Sequence, residues 1–228
     1  MESSVAALAS AFAKPLTVHY GATGHKNTIG QFQRFHKGWN YTAIEEPMDD
    51  KVLKHSLLGQ EKLRQIQELV NRSVPGEVAE LGVYKGGAAR LLAREFPDRD
   101  CYFFDTFEGM PFADEADVHE AGDFHDVSIS QVEKILSDCD NAHCVQGTFP
   151  ETADVVSDKT FAFVHVDADQ YRSTKDALEF FWPRLNKGGI IAFDDYLWPK
   201  CPGVARALEE FGHPVHNPIP FFAYLIKD

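Results

Sequence analysis

GEVAELGVYKGGAARLL, residues 76–92, predicts a short apolar strand over 77–83, a glycine-rich turn and a helix over 86–96. FFDTFEGMP, residues 103–111, follows, and a second strand over 100–105 ends there in Asp105. A strand, a Gly-x-x-x-Gly turn and an acidic end to the next strand is how an α/β sheet holds a nucleoside: glycine lets backbone come close, and a carboxylate accepts both ribose hydroxyls.

The turn departs from the dinucleotide pattern. Glu80-Leu81-Gly82-Val83-Tyr84-Lys85-Gly86-Gly87 is E-x-G-x-x-x-G-G, not G-x-G-x-x-G. An acidic residue two positions before the first glycine sits poorly beside a pyrophosphate, which wants helix-terminal N–H groups. It suits a cationic ligand group such as the amino-acid end of S-adenosylmethionine (SAM). This disfavours a nicotinamide-dependent oxidoreductase. A plain βα turn that needs glycine only for packing is the bland alternative.

Downstream, strands and helices keep alternating. Strands are expected at 142–146, 161–167 and 190–193, and helices at 56–71, 129–138, 173–185 and 203–211. A final strand pair near 214–217 and 220–226 is able to run antiparallel. Ser173 or Thr174 is the expected cap of its helix, and Lys187-Gly188-Gly189 reads as a turn. Repeated βα alternation builds a mostly parallel sheet with helices on both faces. The expected fold is a Rossmann-like class I methyltransferase fold, α/β, seven-stranded, with an antiparallel C-terminal strand pair. Residues 56–228 form that domain. Residues 1–55 are expected to be an N-terminal extension and an active-site cover, beginning with an amphipathic helix that carries Val5, Leu8 and Phe12 on one side. The polar loop at 106–128 is long enough to be functional.

The third motif joins His165-Val166-Asp167-Ala168-Asp169 to Asp194-Asp195. Each closes an apolar strand, and ligands bind at such carboxyl ends. Neighbouring strands lie roughly 4.8 Å apart, so Asp167 and Asp194 stand side by side. Crowded carboxylates repel unless a cation sits between them, and oxygen donors suit Mg²⁺. Such an ion would lower the pKa of an acceptor hydroxyl and fix its position. Asp169 reads as a solvated loop carboxylate or helix cap.

Bulk properties narrow the classes. The 228 residues are 44% hydrophobic, enough for one sizeable core, and the formal charge of −13 disfavours nucleic-acid or anionic-membrane binding. No apolar run approaches the roughly 20 residues that cross a bilayer. The four cysteines lack C-x-x-C spacing and read as reduced, so a cytoplasmic location is expected.

With these motifs in place the chain resembles the macrocin O-methyltransferase family, Mg²⁺-dependent enzymes that finish sugars of macrolide and aminocoumarin antibiotics. The matching stretches are VAELGVYKGGAA, FFDTFEGMP, GDFHDVS (122–128), QGTFPET (146–152), VDADQYRSTKDAL and GGIIAFDDY, spanning about residues 76–211. The resemblance implies SAM contacts at Glu80, Gly82, Tyr84, Gly86, Asp105, Phe107, Gly147, Phe149 and Asp167. It implies metal ligation by Asp167, Asp194 and Asp195, and a small, sugar-like acceptor. Related catechol-type enzymes carry a lysine three residues after the first metal aspartate, where this chain has Gln170. Asp167, His125, His213 and His216 remain candidates for the general base. Family members are often oligomeric, so a homo-oligomer is expected. The rival readings are a metal-independent methyltransferase and a nucleoside-binding module without catalysis.

Overall fold

The computed structural model describes residues 47–70, 74–113 and 118–228. The expected first helix and cover segment lie outside the described residues. The compact unit containing the sheet runs from Pro47 to Asp228.

Two helices, α1 (Asp50–His55) and α2 (Gln60–Val70), precede the sheet. Of the helix expected over 56–71, Gln60–Val70 forms as α2; it starts later because the chain after the unexpected α1 turns at Ser56, whose hydroxyl accepts the Leu58 N–H at 3.1 Å. Asp49 caps α1, accepting the Lys51 N–H at 2.8 Å. Leu63, Ile66, Leu69 and Val70 form the buried stripe of α2, at the three- and four-residue steps that put side chains on one helix face.

Then come β1 (Glu77–Leu81), α3 (Gly87–Glu95), β2 (Cys101–Asp105), α4 (Ile129–Ile135), β3 (Ala142–Gln146), β4 (Phe161–Val166), α5 (Tyr171–Phe181), β5 (Leu185–Asp194), α6 (Pro202–Phe211), β6 (His216–Ile219) and β7 (Phe222–Ile226). They build a seven-stranded sheet in the order β3-β2-β1-β4-β5-β7-β6. The first five strands run parallel, and β7 is antiparallel to both β5 and β6. This is the expected fold. The order reverses between β1 and β4, which opens a crevice at the carboxyl edge.

Among the boundaries that differ from expectation, three have a local reason. The α5 helix starts at Tyr171 with extended Gln170 as its cap, because the Gln170 carbonyl accepts both the Thr174 N–H (3.0 Å) and its hydroxyl (2.8 Å). It ends at Phe181, where Pro183 tightens the next turn into a 3₁₀ segment, Trp182–Arg184. The Lys187-Gly188-Gly189 turn is instead part of a ten-residue β5, since Gly188 and Gly189 exchange backbone hydrogen bonds with Lys227 at 2.7 and 2.9 Å.

All six residues of β4 are buried, as a central parallel strand requires. Phe149 stacks on Phe181 at 5.3 Å and meets Phe104 edge-on at 5.5 Å. Each such ring contributes about 1.5–3 kcal/mol by leaving water. A polar clamp fixes the helices on one side. Buried Arg90 of α3 donates to Asp49 at 2.8 Å and to both oxygens of Asp138 at 2.5 and 2.9 Å.

Candidate active site

A cavity of about 460 Å³ opens at the carboxyl ends of the parallel strands, within the size range of small-molecule sites. Glu80, Gly82, Tyr84, Asp105, Gly147, Phe149, Asp167, Asp194 and Asp195 all line it. Gly86 and Phe107 do not. Gly86 is the left-handed N-cap of α3, and Phe107 is buried beneath the turn with its N–H held by Asp105.

Glu80 is paired with His165 in the register of β1 and β4. Its Oε1 lies 2.8 Å from His165 Nδ1, and both side chains are buried. Burial pushes the Glu80 carboxyl above its usual range, against the pull of His165. The second oxygen, Oε2, has no protein partner. A buried acceptor without a protein partner, in a residue lining the cavity, calls for a donor from a ligand, and a cationic amino group fits it.

Asp105 is more engaged than expected. One oxygen accepts the N–H groups of Val83 and Tyr84 at 2.7 and 2.8 Å, and the other accepts Phe107 N–H at 2.8 Å. The carboxylate therefore staples the glycine turn to the loop after β2, in a residue that lines the cavity. The glycine rationale also changes. A Cβ on Gly82, at φ +87°, would overlap the Asp167 carbonyl, so this glycine, which also lines the cavity, is needed for close packing of the end of β1 against the end of β4.

At the other end of the cavity, Val166 and Phe193 are register partners, so the next residues, Asp167 and Asp194, come together as expected. One oxygen from each of Asp167, Asp194 and Asp195 lies within 4.8 Å of the others. Burial, then the neighbouring Asp194, Asp169 and Asp195, hold Asp167 well above the ordinary carboxylate range. An all-oxygen, acidic and half-enclosed donor set fits Mg²⁺.

Lys62 of α2 reaches this cluster, a contact absent from the sequence reading. Its Nζ stands 2.5 Å from Asp194 and 3.6 Å from Asp195. Burial lowers its pKa, but Asp194, Asp195 and Asp167 outweigh that and the net shift is upward.

Asp169 is not a solvated loop residue. It lines the cavity at φ +60°, accepts from the Cys201 thiol at 3.5 Å, and is raised by burial and by Asp195. His119 also lines the cavity, whereas the three proposed base histidines do not. His125 is exposed and tied to the Gly122 carbonyl at 2.8 Å. His213 packs on Trp182, and His216 stacks on Tyr224. Gln170 is a buried peg whose Nε2 donates to the Phe112 carbonyl at 2.5 Å, which ties Phe112 to the start of α5.

An acidic β1 end with an unpaired oxygen, an acidic β2 end and this strand order define a class I SAM-dependent methyltransferase. More narrowly, the chain belongs to the macrocin-O-methyltransferase family, whose model, Macrocin-O-methyltransferase (TylF), matches residues 11–221. That span reaches well upstream of the motifs at 76–211.

Among relatives, the chain is 30% identical to a mycinamicin III 3''-O-methyltransferase of Micromonospora griseorubida, over 70% of this chain and 72% of that one. It is 33% identical to an 8-demethyl-8-(2,3-dimethoxy-alpha-L-rhamnosyl)-tetracenomycin-C 4'-O-methyltransferase of Streptomyces olivaceus, over 64% of each. Its fold is similar to the O-methyltransferase NovP, with a TM-score of 0.68 and 25% identity over 76% of this chain and 82% of that one. The protein is an O-methyltransferase. Among the described residues no helix is long and apolar enough to cross a membrane.

Proposed function

We propose that this enzyme methylates a hydroxyl on a sugar of a small natural product, with Mg²⁺ held by Asp167, Asp194 and Asp195. The observation that carries the metal reading is the gathering of three carboxylates within 4.8 Å at adjoining strand ends, in the cavity that holds Glu80 and Asp105. The sugar reading is supported by the rhamnosyl group in the name of the tetracenomycin relative. Trp198 and Phe221, 4.6 Å apart, offer an apolar wall for a sugar ring near Asp195.

In this reading Glu80 Oε2 receives the cofactor's ammonium, Asp105 the ribose hydroxyls, and Gly82, Tyr84, Gly147 and Phe149 shape the wall around them. SAM supplies an electrophilic methyl group. Mg²⁺ would act as a Lewis acid on the acceptor oxygen. The acceptor oxygen forms the new O–C bond as the C–S bond breaks, giving S-adenosylhomocysteine (SAH). The hydroxyl proton passes to a cavity carboxylate, Asp167 or Asp169.

The test is methyl transfer from labelled SAM to a panel of glycosylated and free acceptors, with and without chelator. Loss of turnover on chelation, recovery with Mg²⁺, and an inactive Asp194→Ala that still binds SAH support the proposal. Full turnover in chelator favours the metal-independent alternative.

A further inference from the structure

The carboxylate trio already contains a cation from the chain itself. Lys62 sits in the first turn of α2, one residue off its buried stripe, and its side chain is 19% exposed. The ammonium stands 2.5 Å from Asp194 and 3.6 Å from Asp195. These are two of the three carboxylates that face one another within 4.8 Å. One ammonium among three carboxylates leaves the cluster short of cationic partners, so it still attracts a dication. A dication at the trio would meet the ammonium at like-charge range, and both need the same oxygens.

We infer that Lys62 is a tethered counter-ion that competes with the divalent cation for Asp194 and Asp195, so that metal binding requires its ammonium to leave Asp194. This inference rests on the proposed metal role of the trio. Lys62 then sets metal affinity: it keeps the buried carboxylates compensated when no metal is bound, and it weakens metal retention when one is.

The test is Mn²⁺ titration of the full chain, reading free Mn²⁺ by its six-line electron paramagnetic resonance signal. Wild type, Lys62→Gln, Lys62→Arg and Asp194→Asn are compared, each first shown to be folded by calorimetric SAH binding. Removing a unit charge this close to a dication tightens binding on the order of tenfold even with water-like screening. Lys62→Gln is therefore expected to bind Mn²⁺ about tenfold more tightly than wild type, and Lys62→Arg, which keeps the charge, is expected not to. Unchanged or weaker binding in Lys62→Gln overturns the inference while leaving the metal reading intact; the lysine would then be a brace that positions Asp194. Mn²⁺ binding that survives Asp194→Asn, or that is absent from both wild type and Lys62→Gln, overturns the metal reading and the inference together.

Discussion

Glu80 and His165 meet across adjoining parallel strands, Oε1 to Nδ1 at 2.8 Å, with neither side chain reaching solvent. The bond orients the carboxylate so that its unpartnered Oε2 is left for the cavity. Glu80→Gln keeps the shape but removes the charge. Charge-assisted hydrogen bonds contribute about 1.5–3 kcal/mol, so SAH affinity is expected to fall roughly tenfold to a hundredfold by calorimetry. A fall of less than twofold would separate Glu80 from cofactor binding.

Asp105 holds three backbone N–H groups of the turn and the following loop. Asp105→Ala therefore has two expected effects. SAH binding weakens at least tenfold, and amide exchange at Val83, Tyr84 and Phe107 accelerates. Weakened binding with unaltered exchange would show that the carboxylate serves the ligand alone.

Asp167 is held above its usual range first by burial and then by its acidic neighbours. A carboxylate raised in the folded state binds its proton more tightly there than in the unfolded chain. Stability is then lost as pH rises from the usual carboxylate range through the raised folded value. Asp167→Asn removes that loss. It is expected to be catalytically dead yet, with metal removed by chelator, to melt about 2–4 °C higher than wild type at pH 8, for about 1 kcal/mol. The gain shrinks as pH falls towards 4. A lower melting temperature at pH 8 would contradict the repulsion argument.

Arg90 is 3% exposed and joins α1, α3 and the segment after α4 through Asp49 and Asp138. Arg90→Met leaves both aspartates without this donor. The expected loss is about 2–3 kcal/mol, a drop of roughly 5–10 °C in Tm, with SAH affinity changed by less than a factor of three. Differential scanning calorimetry reads the first effect and titration the second.

Much of this was legible in the chain because it is local. Strand ends carry their acids in sequence, so Glu80, Asp105, Asp167 and Asp194 fall at one sheet edge once the βα alternation is recognised. Contacts made by other segments were not legible. Lys62 lies on a helix that precedes the sheet, and nothing around it distinguishes it from a solvated helix lysine. Asp169 looks like a helix-cap carboxylate until Cys201 and Asp195 surround it. His119 lies in an irregular loop, while the more conspicuous His125, His213 and His216 stand apart from the cavity. The cap of α5 was misplaced because serine and threonine at 173 and 174 are the better caps by type, whereas Gln170 is held extended by its own loop contact to Phe112.

The missing side chain at position 82 has a mechanical consequence. There the turn that shapes the cofactor end of the cavity lies against the backbone of Asp167, whose N–H also bonds to the Leu81 carbonyl at 2.8 Å. Under the proposed function, methyl donor and acceptor would thus share one wall, and a shift of either half drags the other. In the same reading, variation in acceptor choice is expected around Trp198 and Phe221, which also line the cavity, rather than at Phe124 and Asp126, which touch Tyr84 of the turn. Redesign for a new sugar should begin at Trp198 and Phe221 and leave Gly82 untouched.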